Sequence, residues 1–345
     1  MEQDGQLTFE DNPLTVQYRR GQECLKRCAF AEAEELFDEI FDTNPHYRGI
    51  EDALKTAKFW LNRQERIEKR QNGKQRAEFL QEEWEHFRQF INEQNIQTRE
   101  VLHAITHGVI NEIIRHLTIY FQELDTPDVS VLCKLARAFL IIGDYRKAKE
   151  TLDYALGFNR HDGIVLLLLG ETLYHTIQTG AETMDSEQLH TLEQRSQYYL
   201  REAFMVSPQD IIPDDIHIPE VSDALKRIRA DGKEKEAEVY WLPIYLRMAG
   251  FLRSVRPMQE ADIATMHENA QQLERSLAES KFQRGILIPQ LLNQYLWLFD
   301  YYHEHKQSRR ECDSIEQNIQ QWSQPLAEYL HLEAFGHKEQ HNEHE

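Results

Sequence analysis

His103 and His107 stand one helical turn apart, with Asn111 a further turn along, a spacing that brings two imidazoles toward one ion. A protein-held zinc takes three or four ligands. Neither a neighbouring third ligand nor a His-Glu-x-x-His arrangement accompanies this pair, so packed or helix-edge histidines are expected. Cys24 and Cys28 repeat the spacing, but no second cysteine pair exists to complete a thiolate site, and they read as small apolar residues. His303, His305, His337, His341 and His344 lie among charged neighbours and read as solvated positions. Acid pairs such as Glu82-Glu83 and Asp214-Asp215 are adjacent in sequence, so on a helix they diverge instead of facing one substrate. No nucleophile elbow, phosphate loop or dinucleotide fingerprint occurs. The expectation is a chain without catalytic residues, metal or cofactor.

The elements that must position these residues are helices. Among 345 residues only 14 are Gly and 10 Pro, while Glu, Gln, Leu, Ala and Arg abound, and these are helix formers. No stretch alternates Val, Ile and Thr between turn signals, so the class is all-α. Leu80, Trp84, Phe87 and Ile91 follow at helical spacing. Leu102, Ile105, Val109, Ile113, Leu117 and Tyr120 do the same, with Ile110, Ile114 and Phe121 beside them. A helix apolar around so much of its circumference belongs between neighbours.

The formal charge is −20, from 59 acids against 39 Lys and Arg, which repels phosphate backbones and anionic lipid. Nucleic-acid binding and membrane insertion are therefore not expected. Eight basic residues between Lys55 and Arg76 run against that trend, opposed only by Glu65 and Glu68. They read as a solvated helix face with pairs such as Glu65 with Lys69, the alternative being a docking patch for an acidic partner. The acidic start carries no apolar core of a secretory signal, and the longest apolar run, Ile164 to Leu169, is too short to span a bilayer. Four cysteines are too few for a disulfide framework in a chain this long, so a reduced, cytoplasmic setting is expected.

One spacing recurs three times. A small residue is followed four residues later by a bulky apolar one and twelve later by a helix stop: Ala33, Phe37 and Pro45; Ala148, Leu152 and Arg160; Ser196, Leu200 and Pro208. Gly21 and Ala136 stand twelve residues upstream of the first two, and Gly170 precedes the third after an apparent insertion of fourteen residues. Gly or Ala at these positions lets two helix backbones approach at a crossing.

On these residues the chain resembles a tetratricopeptide-repeat (TPR) protein. Residues 14–47 are similar to one repeat through Gly21, Phe30, Ala33, Phe37 and Pro45. Residues 129–162 are similar through Leu132, Leu135, Ala136, Phe139, Gly143, Tyr145, Ala148, Leu152, Ala155 and Leu156. Residues 163–208 resemble a third copy through Leu166, Leu169, Gly170, Ser196, Leu200, Ala203, Phe204 and Pro208. The resemblance spans roughly a third of the chain at a period of about 34 residues. It implies an α-solenoid of antiparallel helix pairs whose first helices line a concave, partner-holding surface. By that resemblance Ser130, Cys133 and Arg137 of the middle copy and Leu167, Glu171 and Tyr174 of the next face the groove. Arg137 suits a carboxylate, but Leu167 and Glu171 stand where a terminal-carboxylate clamp would need cations or amides. An apolar helix or extended segment fits such a groove better, and burial of the same side chains in the stack is the competing expectation for Leu167.

The expected organisation is a polar tail at 1–12, a first repeat at 13–47, diverged helical hairpins at 48–125, and two repeats at 126–208. The last pair carries an exposed insertion near 176–189. A Pro- and Asp-rich linker at 209–236 then leads to a helical C-terminal segment at 237–335 and a loose tail at 336–345. The function expected is a non-enzymatic scaffold or adaptor that binds a protein or peptide partner in the groove. The alternatives are a peptide-sensing regulator, or a structural protein that dimerises through its aromatic C-terminal helices (Tyr240, Trp241, Tyr245 and Phe251; Tyr295 and Phe299).

Overall fold

Helix starts follow directly from short polar side chains. Asn12 accepts a hydrogen bond from the backbone N–H of Leu14 at 3.0 Å, and Pro13 occupies the first helical position, where its missing N–H costs little. Asp128 caps the sixth helix at Ser130 N, 2.8 Å away. Asp162 caps the eighth through Ile164 N and Val165 N. Asp185 and Gln188 form a reciprocal capping box at the start of the ninth. Gly143, at φ +77°, makes the turn after the sixth helix, where a side chain would strain the left-handed backbone.

The computed structural model describes residues 12–253, 258–279, 283–306 and 308–342. The side chains of His305, His337, His341 and His344, like residues 1–11 of the expected tail at 1–12, lie outside what is described. Among the described residues the chain is helical, with no β-strand. In chain order the α-helices are α1 (Pro13–Lys26), α2 (Phe30–Thr43), α3 (Ile50–Glu68), α4 (Lys74–Glu93), α5 (Arg99–Gln122), α6 (Val129–Ile141) and α7 (Tyr145–Leu156). After them come α8 (Gly163–Gly180), α9 (Ser186–Val206), α10 (Pro219–Ala230), α11 (Glu238–Met248), α12 (Glu260–Glu279), α13 (Arg284–Tyr301), α14 (Arg309–Gln320) and α15 (Gln324–Asn342). The chain forms two compact units, Met1–Thr151 and Leu152–Glu345, and the division falls inside α7.

In the first unit α1 packs on α2, α2 on α3, and α5 against α1, α4 and α6. A Cβ at Gly21 would overlap the Phe37 ring, whose Cζ lies 2.7 Å from that point, so the glycine is what lets α1 and α2 touch. Phe37 is fully buried, which stabilises the fold by about 1.5–3 kcal/mol. Phe30, at the turn, stacks on Trp60 of α3 with ring centroids 5.9 Å apart. Phe59, Trp84 and Phe87 continue that aromatic cluster toward α4. The apolar circumference of α5 is buried from Val101 to Leu117, and Gly108 brings it against the backbone carbonyl of Leu25.

In the second unit α8 and α9 form a long hairpin, and α11 packs on α9, α10, α13 and α15. Its core gathers Leu291, Leu292, Leu296, Trp297 and Phe299 of α13, each essentially closed to solvent. Two expectations need correction. The 176–189 segment is exposed over most of its length but is mainly helical: it lengthens α8 to Gly180 and α9 back to Ser186, because the Asp185 capping box starts α9 early.

Residues 209–236 are not a linker between domains. Pro208, Pro213 and Pro219 each sit at a helical first position, while Ile211, Ile216, Ile218, Val221, Leu225 and Ile228 enter the core of this unit. Arg229 pins the segment through ion pairs to Asp214 (2.9 Å) and Glu238 (2.7 Å). At the C-terminus, the backbone of α15 runs through Asn342, into the stretch expected to be loose.

Candidate functional site

The six groove candidates divide between the two units. In the first, α6 carries all three: Ser130 is exposed, Arg137 half-buried and Cys133 buried at 9% exposure. In the second, Leu167 and Glu171 of α8 are buried, at 3% and 4% exposure. The Glu171 carboxylate accepts the backbone N–H of His217 at 2.7 Å and lies 3.4 Å from that imidazole and 3.9 Å from His175. Burial pushes this acid up, but the hydrogen bonds from His175 and His217 outweigh it and hold the pKa down at about 2. Tyr174 is half-buried, donates to Glu220 at 3.0 Å and stands edge-on to Phe251. In this unit, then, the segment after α9 covers the face that was expected to receive a partner. Ile211, Ile216 and Ile218 require that cover, since only the core can bury them.

The repeat-packing residues fare differently. Ala33, Ala136, Ala148 and Ala203 are closed to solvent and Pro208 is buried. Pro45 and Gly143 are exposed at their turns, and Tyr145 is half-buried. Gly170 meets Leu200, whose Cγ would lie 2.6 Å from an added Cβ.

A buried charge cluster lies in the core of the second unit. Asp300 of α13 pairs with Arg201 of α9 at 2.6 Å and with Arg247 of α11 at 2.8 Å, and Arg247 reaches Glu333 of α15 at 2.6 Å. Burial raises the Asp300 carboxyl, but the two guanidiniums override this and hold it below the ordinary range. The Arg201 guanidinium also lies 4.4 Å from the Trp297 ring centroid. These ion pairs tie four helices together inside the unit.

His103 and His107 bring their rings within 4.3 Å, and burial followed by the His103 charge lowers the His107 pKa. Among the described residues no three His, Cys, Asp or Glu side chains converge as a metal site. Burial pushes the Cys28 thiol up to about 12, which leaves little reactive thiolate. The basic run of α3–α4 is largely engaged internally. Arg63 and Arg66 pair with Glu83, Lys69 with Glu65 and Lys74 with Glu78, and Arg76 donates to the Glu68 and Arg70 carbonyls.

One open feature of the second unit was not foreseen. The end of α7 and the start of the following turn (Asp153, Leu156, Gly157, Arg160, His161) form one wall of a recess of about 610 Å³. Leu166 of α8 with Tyr198 and Tyr199 of α9 form the other. Beside it in the chain, Tyr154 and Phe158 are 51% and 49% exposed, with rings edge-to-face at 4.9 Å. Their exposure follows from helical spacing. Leu152 and Ala155, both fully buried, take the inward face of α7 and leave the i, i+4 aromatic pair outside.

The charge here is also unusual for so acidic a chain. Arg160 makes no ion pair among the described residues, and Arg195 sits over the Tyr199 ring at 5.9 Å. The sequence signal was present in two aromatics off the apolar stripe of α7, but the repeat spacing drew attention only to the stripe. No helix among the described residues is long and apolar enough to cross a membrane. Comparison with protein-family models, curated proteins and solved structures finds no match to this chain.

Proposed function

We propose that this chain is a non-enzymatic, TPR-like scaffold that binds a segment of a partner protein at the recess between the end of α7 and α9. The observation that carries this reading is the pairing of an exposed aromatic couple, Tyr154 and Phe158, with a cavity whose walls supply Tyr198, Tyr199 and Arg160. Tyr and Arg are the residues that dominate binding energy at protein interfaces, because they bury large area and still offer polar ends. Arg160, with Arg195 over Tyr199, outnumbers Asp153 there, so the partner segment is apolar and acidic. The close α1–α2 and α8–α9 crossings at Gly21 and Gly170 support the repeat reading of the hairpins.

The groove first expected loses Leu167 and Glu171 to the core, and Tyr174 is tied to Glu220. Dimerisation through the C-terminal aromatics loses its main anchors in the same way, since Trp241, Tyr295 and Phe299 are buried in their own unit.

Affinity capture with quantitative mass spectrometry tests the proposal. A partner retained by the unaltered chain and by Arg137→Glu, but lost from both Arg160→Glu and the Tyr154→Ala/Phe158→Ala double variant, is the expected result. Retention of every partner by the recess variants rejects it.

A further inference from the structure

The recess between the end of α7 and α9 carries a charge that runs against the rest of the chain. In a protein of net charge −20, Arg160 and Arg195 stand exposed beside it, and neither makes an ion pair among the described residues. Acids are plentiful in this sequence, so two guanidiniums left without one call for an acid from elsewhere. Around them the surface is apolar and aromatic: Tyr154 and Phe158 on the outside, Leu156 and Tyr199 in the walls. At about 610 Å³ the recess falls within the ~300–1,000 Å³ of ordinary ligand pockets, with room for two bulky side chains of an incoming segment.

The sequence itself holds a segment of complementary chemistry. Residues 1–11, Met-Glu-Gln-Asp-Gly-Gln-Leu-Thr-Phe-Glu-Asp, lie outside the described residues and carry four acids (Glu2, Asp4, Glu10 and Asp11) with no Lys or Arg. Leu7 and Phe9 add two bulky apolar side chains at i, i+2, the spacing that puts both on one side of an extended chain. Glu10 and Asp11 follow at once, so apolar and acidic groups arrive together. The other stretches of three or more residues outside the description do not match. Residues 254–257 hold Arg256, 280–282 hold Lys281, and 343–345 have no apolar side chain. Leu7 precedes Asn12, the cap of α1, by a tether of about 17 Å when extended. Such a tether lets the segment seat in another molecule without requiring the two folded bodies to pack together.

We propose that the recess takes residues 1–11 of a second copy of this chain. Leu7 and Phe9 cover Leu156 and Tyr199 and extend the exposed Tyr154–Phe158 couple, while Glu10 and Asp11 meet Arg160 and Arg195. The apolar pair supplies most of the affinity, by removing its own surface and that of the aromatic rings from water. The acids fix the direction in which the segment lies and steer its approach. The inference rests on the recess being the docking site proposed above and names an occupant for it. Because the segment competes there with any outside partner, self-association and partner capture exclude one another at each recess.

A fluorescein-labelled peptide of residues 1–11, titrated into the intact chain, tests this by polarisation. The expected Kd is ~100 μM or tighter. Arg160→Glu and Tyr199→Ala in the chain, and Leu7→Ala/Phe9→Ala in the peptide, are each expected to weaken binding at least ~10-fold. Should Tyr199→Ala fail to fold, Arg160→Glu at its exposed position carries the test. A peptide with Glu10→Lys/Asp11→Lys is expected to bind the Arg160→Glu chain several-fold more tightly than the unaltered peptide does, a rescue that a distorted recess would not give. Static light scattering from about 5 to about 500 μM is expected to show a mass that rises with concentration for the unaltered chain and stays monomeric in Leu7→Ala/Phe9→Ala.

No saturable peptide binding, equal binding by the Arg160→Glu and Tyr199→Ala chains, or a monomeric mass of the unaltered chain at every concentration overturns the inference. An outside partner captured through the recess while the peptide fails to bind removes this inference and leaves the proposed function standing. A peptide that binds as expected while the recess variants retain every outside partner does the reverse.

Discussion

Ser196 of α9 donates its hydroxyl to the carbonyl oxygen of Gly170 in α8, 2.7 Å away, at the point where the absence of a side chain on Gly170 lets the two helices meet. Both residues are buried, and the distance leaves no room for water between them. Ser196→Ala is expected to cost about 1 kcal/mol, the net worth of one such hydrogen bond. Gly170→Ala is expected to cost more, about 1–3 kcal/mol, since the new methyl lies 2.6 Å from Leu200 Cγ and 3.0 Å from the Leu200 backbone nitrogen. Neither atom is the free end of a flexible chain, so the helices themselves must part. Urea midpoints of the two variants give the order; a more stable Gly170→Ala contradicts the close approach.

The contrast between this crossing and its surroundings shows what the sequence carried. Gly21, Ala33, Ala148, Gly170 and Ser196 were legible because a helix crossing tolerates only small residues, and that constraint leaves a fixed spacing. Residues 209–236 were misread because prolines and aspartates mark a break in composition, whereas Ile211, Ile216 and Ile218 enter the core at irregular intervals that match no helical or strand period. That segment then decided the fate of the expected groove. Glu171 looked like a surface acid on α8, and nothing local announced that the backbone N–H of His217, 46 residues on, would claim it. Asn269, Gln272 and Ser276 of α12 and Gln290, Asn293 and Gln294 of α13 fall at helical spacing, but polar residues are ordinarily taken to face water, so their meeting across a cavity needed the tertiary structure.

Asp300 is the centre on which Arg201 and Arg247 depend. Asp300→Asn keeps the shape and removes the charge, leaving two guanidiniums buried at 2% and 5% exposure with their central acid gone and only Glu333 and the more distant Glu304 to answer them. A loss of about 3–5 kcal/mol is expected. If the cluster acts through charge balance and not shape, the triple variant Arg201→Met/Arg247→Met/Asp300→Leu recovers most of that loss, because no guanidinium is left buried without its acid and Glu333 keeps Arg253, 3.7 Å away. Chemical denaturation compares the two, and a triple variant weaker than Asp300→Asn contradicts the account.

Two acid transitions are expected, one in each unit. In the first unit, His116 is fully buried and its Nδ1 accepts the Gly73 N–H at 3.3 Å. Burial, and after it the adjoining Arg115 charge, lower its pKa from 6.5 to about 4. The folded state binds this proton more weakly than the unfolded state does, so stability is full above 6.5 and falls as pH drops through that window toward 4. In the second unit, Glu171 is lowered from 4.5 to about 2, so its contribution is present above 4.5 and lost between 4.5 and 2. Each shift is worth at most ~3 kcal/mol. Denaturation followed at a series of pH values is expected to show the higher window shrink in His116→Asn, His107 retaining its own share, and the lower one shrink in Glu171→Gln. An unaltered pH profile in His116→Asn removes the histidine from the account.

At the recess, binding and stability are expected to separate. Phe158 is 49% exposed and Arg160 has no ion-pair partner among the described residues, so Phe158→Ala and Arg160→Glu are each expected to change stability by no more than about 0.5 kcal/mol. Tyr199 lines the cavity from α9, and Tyr199→Ala removes a ring that the partner segment would bury. For the partner captured by the unaltered chain, Phe158→Ala and Tyr199→Ala are each expected to weaken binding at least ~10-fold, mostly through faster dissociation. Arg160→Glu acts on a different quantity. An exposed cation facing an acidic segment mainly speeds encounter, so its reversal should lower the association rate and flatten the dependence of that rate on salt. Surface plasmon resonance at several ionic strengths separates the two effects, and an association rate as salt-sensitive in Arg160→Glu as in the unaltered chain excludes an acidic partner at this site.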